Sequence, residues 1–444
     1  MLPHPSQPAV LGISTTDELV LPQASLVEQI SQSQIDRVQD GLRLVCKVPF
    51  NVLRCLAFEI NRQDNGTDAL YLLEAREDGF SASDLPLGLV WVSLDDLHSG
   101  MVPEILSCGL SRWLDECRTQ KVQSAAWQPP SLSPPWARPG WYSQAEVWIG
   151  TKMAHLGKSV RAIEPLKSWC ISTVLRVHTT TRPMFFKASL DLPLFVNEGV
   201  VMAGLAQLYP DCIPAPLAVN ATQRWMLLED LGGSIGRDAP FEQQVNLFQA
   251  MAHLQIDSSR RIDSLLQIGC IDRRIPWLQS HLDALMADEI TLSLLEGAER
   301  KALVRALPRL QSLLDELDSL PIPPALLHGD LHTGNVVIQD GKIRLFDWTD
   351  AAISHPFFDL DIIFTMENTA RRKTLEDAYL SAWEEVYPAR QVRQAFRLAR
   401  VVYGLYHAVS YQFILNNLEE ADRPEINSAY YFFHQVLAGL ANSG

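Results

Sequence analysis

The chain has 444 residues, of which 47% are apolar and 20% charged, enough to bury the cores of two or three soluble domains. Its 52 Asp and Glu outweigh 37 Lys and Arg, giving a formal charge of -15. That balance lacks the basic face of a general nucleic-acid binder and is compatible with a cationic substrate.

The first 25 residues are rich in Pro, Ser and Thr and read as a flexible tail. No basic segment precedes an apolar run before Val20, so no secretory leader is expected. Residues 26–124 mix strand and helix signals and read as a small, separate α/β domain. Apolar runs at 51–60 and 69–75 flank Asn65-Gly66, a hairpin signal. A strand is expected at 89–92 and a helix at 102–118. Residues 125–142 hold five prolines, which exclude a regular helix or central strand. This stretch reads as a linker, with Trp127, Trp136 and Trp141 anchoring it onto a domain surface.

From 143 onward the pattern predicts a helix at 145–156 and strands at 172–178 and 183–188. A helix at 197–208 and a strand at 223–229 follow. Beyond Gly232-Gly233 the chain turns mainly helical, with helices at 241–255, 276–287 and 297–317 and across most of the last 75 residues. No run reaches ~18 uninterrupted apolar residues, so neither a spanning helix nor a membrane partner is expected. The seven cysteines are scattered, with no C-x-x-C pair. They fit reduced thiols in a cytoplasmic protein better than a disulfide framework or zinc site.

Residues 326–350 carry the chemistry: LLHGDLHTGNVVIQDGKIRLFDWTD. Phosphoryl transfer needs one carboxylate to align and deprotonate the attacking hydroxyl, and oxygen ligands to hold Mg²⁺ against the triphosphate. Asp330 lies on a loop suited to the first task. Asn335 and Asp347 flank two apolar runs joined by Asp340-Gly341, and a hairpin there would bring them together for the second. His332 reads as a hydrogen-bonding neighbour of the loop.

The segment resembles the catalytic loop of the aminoglycoside phosphotransferase and choline kinase-like family, itself distantly similar to protein kinases. The resemblance rests on His328-Gly329-Asp330, Asn335 and Phe346-Asp347-Trp348, and covers about residues 150–440. It implies an α+β, protein-kinase-like bilobal fold: a small β-rich lobe over 143–230 and a large helical lobe with acceptor-site helices over 231–444. It implies that Asp330 is the catalytic base, with His328 its orienter in the same loop. Asn335 and Asp347 become the metal ligands, and Asp359 the brace of the loop. A kinase-like lobe also needs a strand lysine for the nucleotide phosphates and an acidic partner; Lys187 and Glu198 fit. Glu229, Asp230 and Leu231 match the hinge that meets the purine, of ATP first and with GTP left open.

Between β-type runs the phosphate-covering loop should fall at 168–173, which contains no glycine. The N-terminal region faintly resembles the later part of a Nudix hydrolase without its glutamate cluster, so no hydrolysis is expected of it.

Eleven residues separate Asp347 from Asp359, too few for the activation segment that docks a protein substrate. The expected reaction is therefore transfer of the γ-phosphate of ATP, with Mg²⁺, to a hydroxyl of a small molecule. Two alternatives are a catalytically silent nucleotide-binding protein of the same fold and a protein kinase or regulator. Glu367, Asp377, Trp383, Glu384, Tyr403 and His407 are candidates for the acceptor cleft. The sequence gives no oligomeric state.

Overall fold

The computed structural model describes residues 1–4, 7–14, 19–24, 35–60, 67–76, 85, 86, 88–119, 130–236, 238–426 and 428–442. The chain forms two compact units. One comprises Met1–Leu190 with Glu419–Asp422, the other Asp191–Leu418 with Arg423–Gly444. The boundaries expected at 124/125, 142/143 and 230/231 do not coincide with this division.

In the first unit, the AVLGIS run at Ala9–Ser14 is a strand and not part of a flexible tail. It pairs antiparallel with Leu89–Ser93, from Ala9↔Ser93 to Ile13↔Leu89, and with Leu19–Val20. Val10 and Leu11 are fully buried. The prolines and serines around this run hide it in the sequence, and its partner lies far along the chain. Phe50–Ile60 and Thr67–Ala75 pair antiparallel up to Ile60↔Thr67; Asn65-Gly66 lie outside the described residues. Helix Ile35–Cys46 turns Ile35 and Val38 into a core with Leu11, Phe50, Val52 and Tyr71.

Among its described residues the proline-rich stretch holds one 3₁₀ turn, Pro135–Ala137. Trp136 and Trp141 are buried, with ring centroids 6.1 Å apart in an edge-to-face contact; Trp127 lies outside the described residues. Helix Trp141–His155 begins before its expected start. Its first residues are tied to the N-terminal hairpin. Tyr142 donates its hydroxyl to the Val52 carbonyl at 3.1 Å, and Arg76 pairs with Glu146 at 3.0 Å. Strands Val160–Ser168, Ser172–Thr179 and Met184–Ser189 then form an antiparallel array with Val174 opposite Lys187. Val160–Ser168 was not expected as a strand, because VRAIEPLKS interrupts its apolar residues with charges and Pro165.

The second unit opens with helix Glu198–Leu208 and the antiparallel pair Ala218–Asn220 and Trp225–Glu229. Helices Phe241–Ser258, Ile275–Ala287 and Gly297–Asp318 follow. A three-stranded sheet places Ala352–Ser354 between Ile271–Asp272 and Ala325–Leu327. The hairpin Val336–Gln339 and Lys342–Leu345 turns through Asp340 (φ +52°) and Gly341 (φ +75°). Two successive positive φ values match the type I′ turn favoured by Asp-Gly. Helix Ala389–Asn416 runs through the unit with every residue from Val401 to Ser410 buried. It crosses helix Ser428–Asn442 at Gly404, where a Cβ would meet the Phe432 carbonyl at 2.5 Å. Among the described residues no helix is long and apolar enough to cross a membrane.

Candidate active site

The loop after strand Ala325–Leu327 begins with a backbone reversal that only glycine accommodates. Gly329 has φ +84°, and a Cβ on it would lie 2.4 Å from the Asp350 carbonyl. The amides of His328 and Gly329 both donate to Asp359, at 2.8 and 2.9 Å. Asp359 is 3% exposed and also accepts from Gln255 Nε2 at 3.3 Å. Burial pushes its carboxyl up to about 7, against the pull of those two backbone N–H groups. Asp359 thus clasps the two amides on one buried carboxylate.

His328 is fully buried. Its Nε2 donates to the Phe346 carbonyl at 2.9 Å, and its ring packs against Trp348. Burial lowers its pKa, so it ties the loop to the end of the hairpin as a neutral ring.

Asp330 projects a half-exposed carboxylate. Asn335 Nδ2 donates to its carbonyl at 3.0 Å and its Oδ2 at 3.2 Å, while His332 Nε2 stands 3.5 Å from Oδ2. His332 Nδ1 accepts from the Gly334 amide, which leaves the proton on Nε2, toward Asp330. Loss of water around Asp330 resists its ionisation, but the hydrogen bond from His332 outweighs that and holds the group down to about 2. At neutral pH it is an ionised hydrogen-bond acceptor.

The hairpin brings Asn335 and Asp347 to its open end, where the Phe346 amide donates to the Asn335 carbonyl at 3.1 Å. Asp347 has φ +65° and receives the Thr349 hydroxyl at 3.2 Å. The same hydroxyl lies 3.0 Å from Glu198 Oε2. Since Nδ2 of Asn335 is committed to Asp330, its Oδ1 is left as the oxygen donor of that amide. Among the described residues no three His, Cys, Asp or Glu side chains cluster as a metal nest. A carboxylate and an amide oxygen suit a hard cation that takes its other ligands from phosphate and water, as Mg²⁺ does.

The expected hinge, Glu229 to Leu231, follows strand Trp225–Glu229. Asp230 Oδ1 accepts from the Gly232 amide at 2.9 Å. The segment beyond is tied to the stretch after Asp330: the Ile235 amide donates to the Val336 carbonyl and the Gly236 amide to that of Thr333. Glu198 is buried in the first turn of its helix. Lys187, 9% exposed, stands on a strand of the first unit. The glycine-free turn at 168–173 is closed, with the Trp169 amide donating to the Ser172 carbonyl at 3.1 Å. Trp136 Nε1 clamps it by donating to the Trp169 carbonyl at 2.9 Å.

Of the six acceptor candidates, Trp383 is core, packed on Phe357. Asp377 and Glu384 pair with Arg393 at the surface, and Glu367 is exposed. Tyr403 and His407 instead belong to an aromatic wall that includes Asp361, Tyr411, Tyr431 and Phe432, residues not singled out from the sequence. Tyr403 and Tyr431 donate their hydroxyls to Asp361 Oδ1 at 2.9 and 3.0 Å. Phe432 stacks on His407 and on Tyr411. Burial, then the Asp330, Asp350 and Asp361 carboxylates, push the Tyr411 hydroxyl up.

Residues 163–396, just over half the chain, match the model of the phosphotransferase enzyme family. No curated protein matches the chain. Among solved structures, the macrolide 2′-phosphotransferase of Brachybacterium faecium is similar at 18% identity and TM-score 0.44, over 64% of this chain and 97% of its own. The choline kinase of Streptococcus pneumoniae is similar at 13% identity and TM-score 0.48, over 67% of this chain and 99% of its own. An aminoglycoside 2′-phosphotransferase-IIIa is similar at 16% identity and TM-score 0.47, over 68% and 99%.

Proposed function

We propose that this chain, which belongs to the phosphotransferase enzyme family, moves the γ-phosphoryl group of ATP to a hydroxyl of a small molecule. The observation that supports this most is the joining of Asp330, Asn335 and Asp347 through one loop and hairpin, with Asn335 bonded directly to Asp330.

In this reading Asp330 accepts a hydrogen bond from the acceptor hydroxyl and orients its oxygen in line with the γ-phosphorus. As the new O–P bond forms and the bond to ADP breaks, the hydroxyl proton passes to Asp330. A strongly ionised carboxylate suits a loose transition state, in which the nucleophile needs alignment more than early deprotonation. Asn335 and Asp347 would hold Mg²⁺, which when bound neutralises charge on the phosphate oxygens. Lys187 is the proposed cation for the nucleotide phosphates, with Glu198 its expected acidic partner. Glu229, Asp230 and Leu231 are the proposed hinge. His328 and Asp359 fix the loop without touching the reacting atoms.

For the acceptor, the Asp361 carboxylate and the partly exposed Tyr411 and Tyr431 rings of the wall favour a cationic alcohol. The test is substrate-dependent ADP release from MgATP across amine-bearing and carboxylate-bearing alcohols, at low and high salt. Amine-bearing alcohols should be favoured, and salt should narrow the difference. Preference for anionic acceptors overturns the acceptor assignment. MgATP binding without turnover on any alcohol would point to a silent nucleotide-binding protein, and phosphorylation of folded proteins alone to a protein kinase.

A further inference from the structure

His332 holds the 3₁₀ turn Thr333–Asn335 by both its side chain and its backbone. Its Nδ1 accepts from the Gly334 amide at 3.0 Å, and its carbonyl accepts from the Asn335 amide at 2.9 Å. Gly334 makes room for the ring. It has no positive φ, so its backbone would admit a side chain. A Cβ there would nevertheless lie 2.6 Å from Cε1 and 2.8 Å from Nδ1 of His332. What opposes a side chain at 334 is the seat of the imidazole.

A capped turn needs only the Nδ1 contact, and an asparagine or serine oxygen would supply it. The other nitrogen faces Asp330. With Nδ1 occupied, the ring proton is on Nε2, and Nε2 stands 3.5 Å from Asp330 Oδ2. Asn335 Nδ2 reaches the same oxygen at 3.2 Å. Among the described residues no hydrogen bond is directed at Oδ1. An aspartate carboxylate turns over a broad range about its last torsion, and a second N–H on one oxygen restricts that rotation. The 3.5 Å separation is long for a hydrogen bond, as contacts at reacting groups are before substrate closes on them. The ring cannot itself take the proton from Asp330. Nε2 already carries hydrogen, and the Nδ1 lone pair is taken by the Gly334 amide.

We propose that His332 is a positioning residue for transfer: its Nε2–H, with the Asn335 amide, holds Asp330 Oδ2 so that Oδ1 receives the acceptor's proton, and Gly334 seats the ring. This rests on the role proposed above for Asp330. In the step, the acceptor oxygen bonds to the γ-phosphorus, and the bond to ADP breaks with its electron pair on the ADP oxygen. The hydroxyl proton goes to Oδ1 while Oδ2 keeps its two donors.

Variants separate the cap from the donor. His332→Asn keeps an oxygen for the Gly334 amide and loses the N–H toward Asp330. His332→Gln places an amide N–H near the site of Nε2 and loses the cap. Gly334→Ala leaves His332 and Asp330 in the chain and displaces the ring. ADP release from saturating MgATP, with water and ethanolamine as acceptor probes, is measured beside thermal unfolding. His332→Asn and Gly334→Ala should each lose about tenfold in kcat, the scale of one hydrogen bond, with KM for MgATP near the parent's. His332→Gln should recover most of that rate and yet melt at a lower temperature than His332→Asn. A residue that only capped the turn would give the reverse order of rates. Spectra of the full chain labelled with ¹⁵N-histidine supply a check without turnover: His332 should carry its proton on Nε2, and that nitrogen should shift in Asp330→Ala. A proton on Nδ1, an Nε2 insensitive to Asp330→Ala, or His332→Asn as fast as the parent overturns the proposal. A parent that shows the expected spectra and releases no ADP with either probe overturns the transfer reading instead, and this role of His332 with it.

Discussion

At Asp330 a short side chain meets one imidazole and one amide. His332 and Asn335 both turn an N–H toward its Oδ2. Asp330→Asn keeps the shape and removes the charge. Turnover should fall on the order of 10²-fold or more, the scale of general base catalysis, with MgATP binding and thermal unfolding near those of the parent. Full turnover in the variant would remove Asp330 from the mechanism. Asp347→Ala acts on the other partner of the reaction. A methyl group cannot hold a hard cation, so titration of MgATP should show binding weakened severely, and more than in Asn335→Ala. Unchanged affinity would show that the metal lies elsewhere.

Among elements, the clasp between Asp359 and the loop after Ala325–Leu327 sets the geometry of the rest. Two amides converge on one carboxylate, and an asparagine there can offer an acceptor to only one of them. Asp359→Asn should therefore cost about 1–3 kcal/mol, read by denaturant unfolding. The parent should also lose stability as pH rises. Asp359 titrates at about 7 in the fold against 3.8 as its ordinary value, so the folded state binds the proton more tightly. Its contribution is fully present below 3.8, declines from there to about 7 and is absent above. The slope is at most about 1.4 kcal/mol per pH unit for one proton. Asparagine should flatten it; an identical slope in the variant would mean that Asp359 is ionised throughout.

This element-level picture was legible in the sequence where the signals were local. Asp340-Gly341 between apolar runs gave the hairpin, and its ends gave the positions of Asn335 and Asp347. The aromatic wall was not legible. Tyr403 and Tyr431 reach Asp361 across 42 and 70 residues, and only helix packing sets those contacts. Nor was the strand at Ala9–Ser14, whose pairing with Leu89–Ser93 leaves no local trace beyond a short apolar run.

On the scale of the molecule, the N-terminal region and the strands Val160–Ser168 to Met184–Ser189 share one compact unit, despite the prolines between them. Tyr142 is one of the ties, with its hydroxyl on the Val52 carbonyl. Tyr142→Phe leaves that buried carbonyl without this donor and should cost about 1–3 kcal/mol. Removal of residues 1–125 takes away Val52, Glu74 and Arg76 together, the partners of Tyr142, Gly140 and Glu146. The shortened chain should therefore melt at lower temperature than the full one. Equal melting temperatures would show the N-terminal region to be an independent domain.

The left-handed backbone of Asp347 sets a trade between durability and use. A non-glycine residue at φ +65° costs roughly 1 kcal/mol, and glycine would adopt the same conformation freely. The substitution that best relaxes the backbone is thus the one that deletes the carboxylate. Selection for thermal endurance alone would be drawn toward glycine at this position. If Asp347 holds the cation as proposed, a lineage of this chain that carries glycine there should be sturdier and unable to hold it, whereas selection for transfer would keep the aspartate.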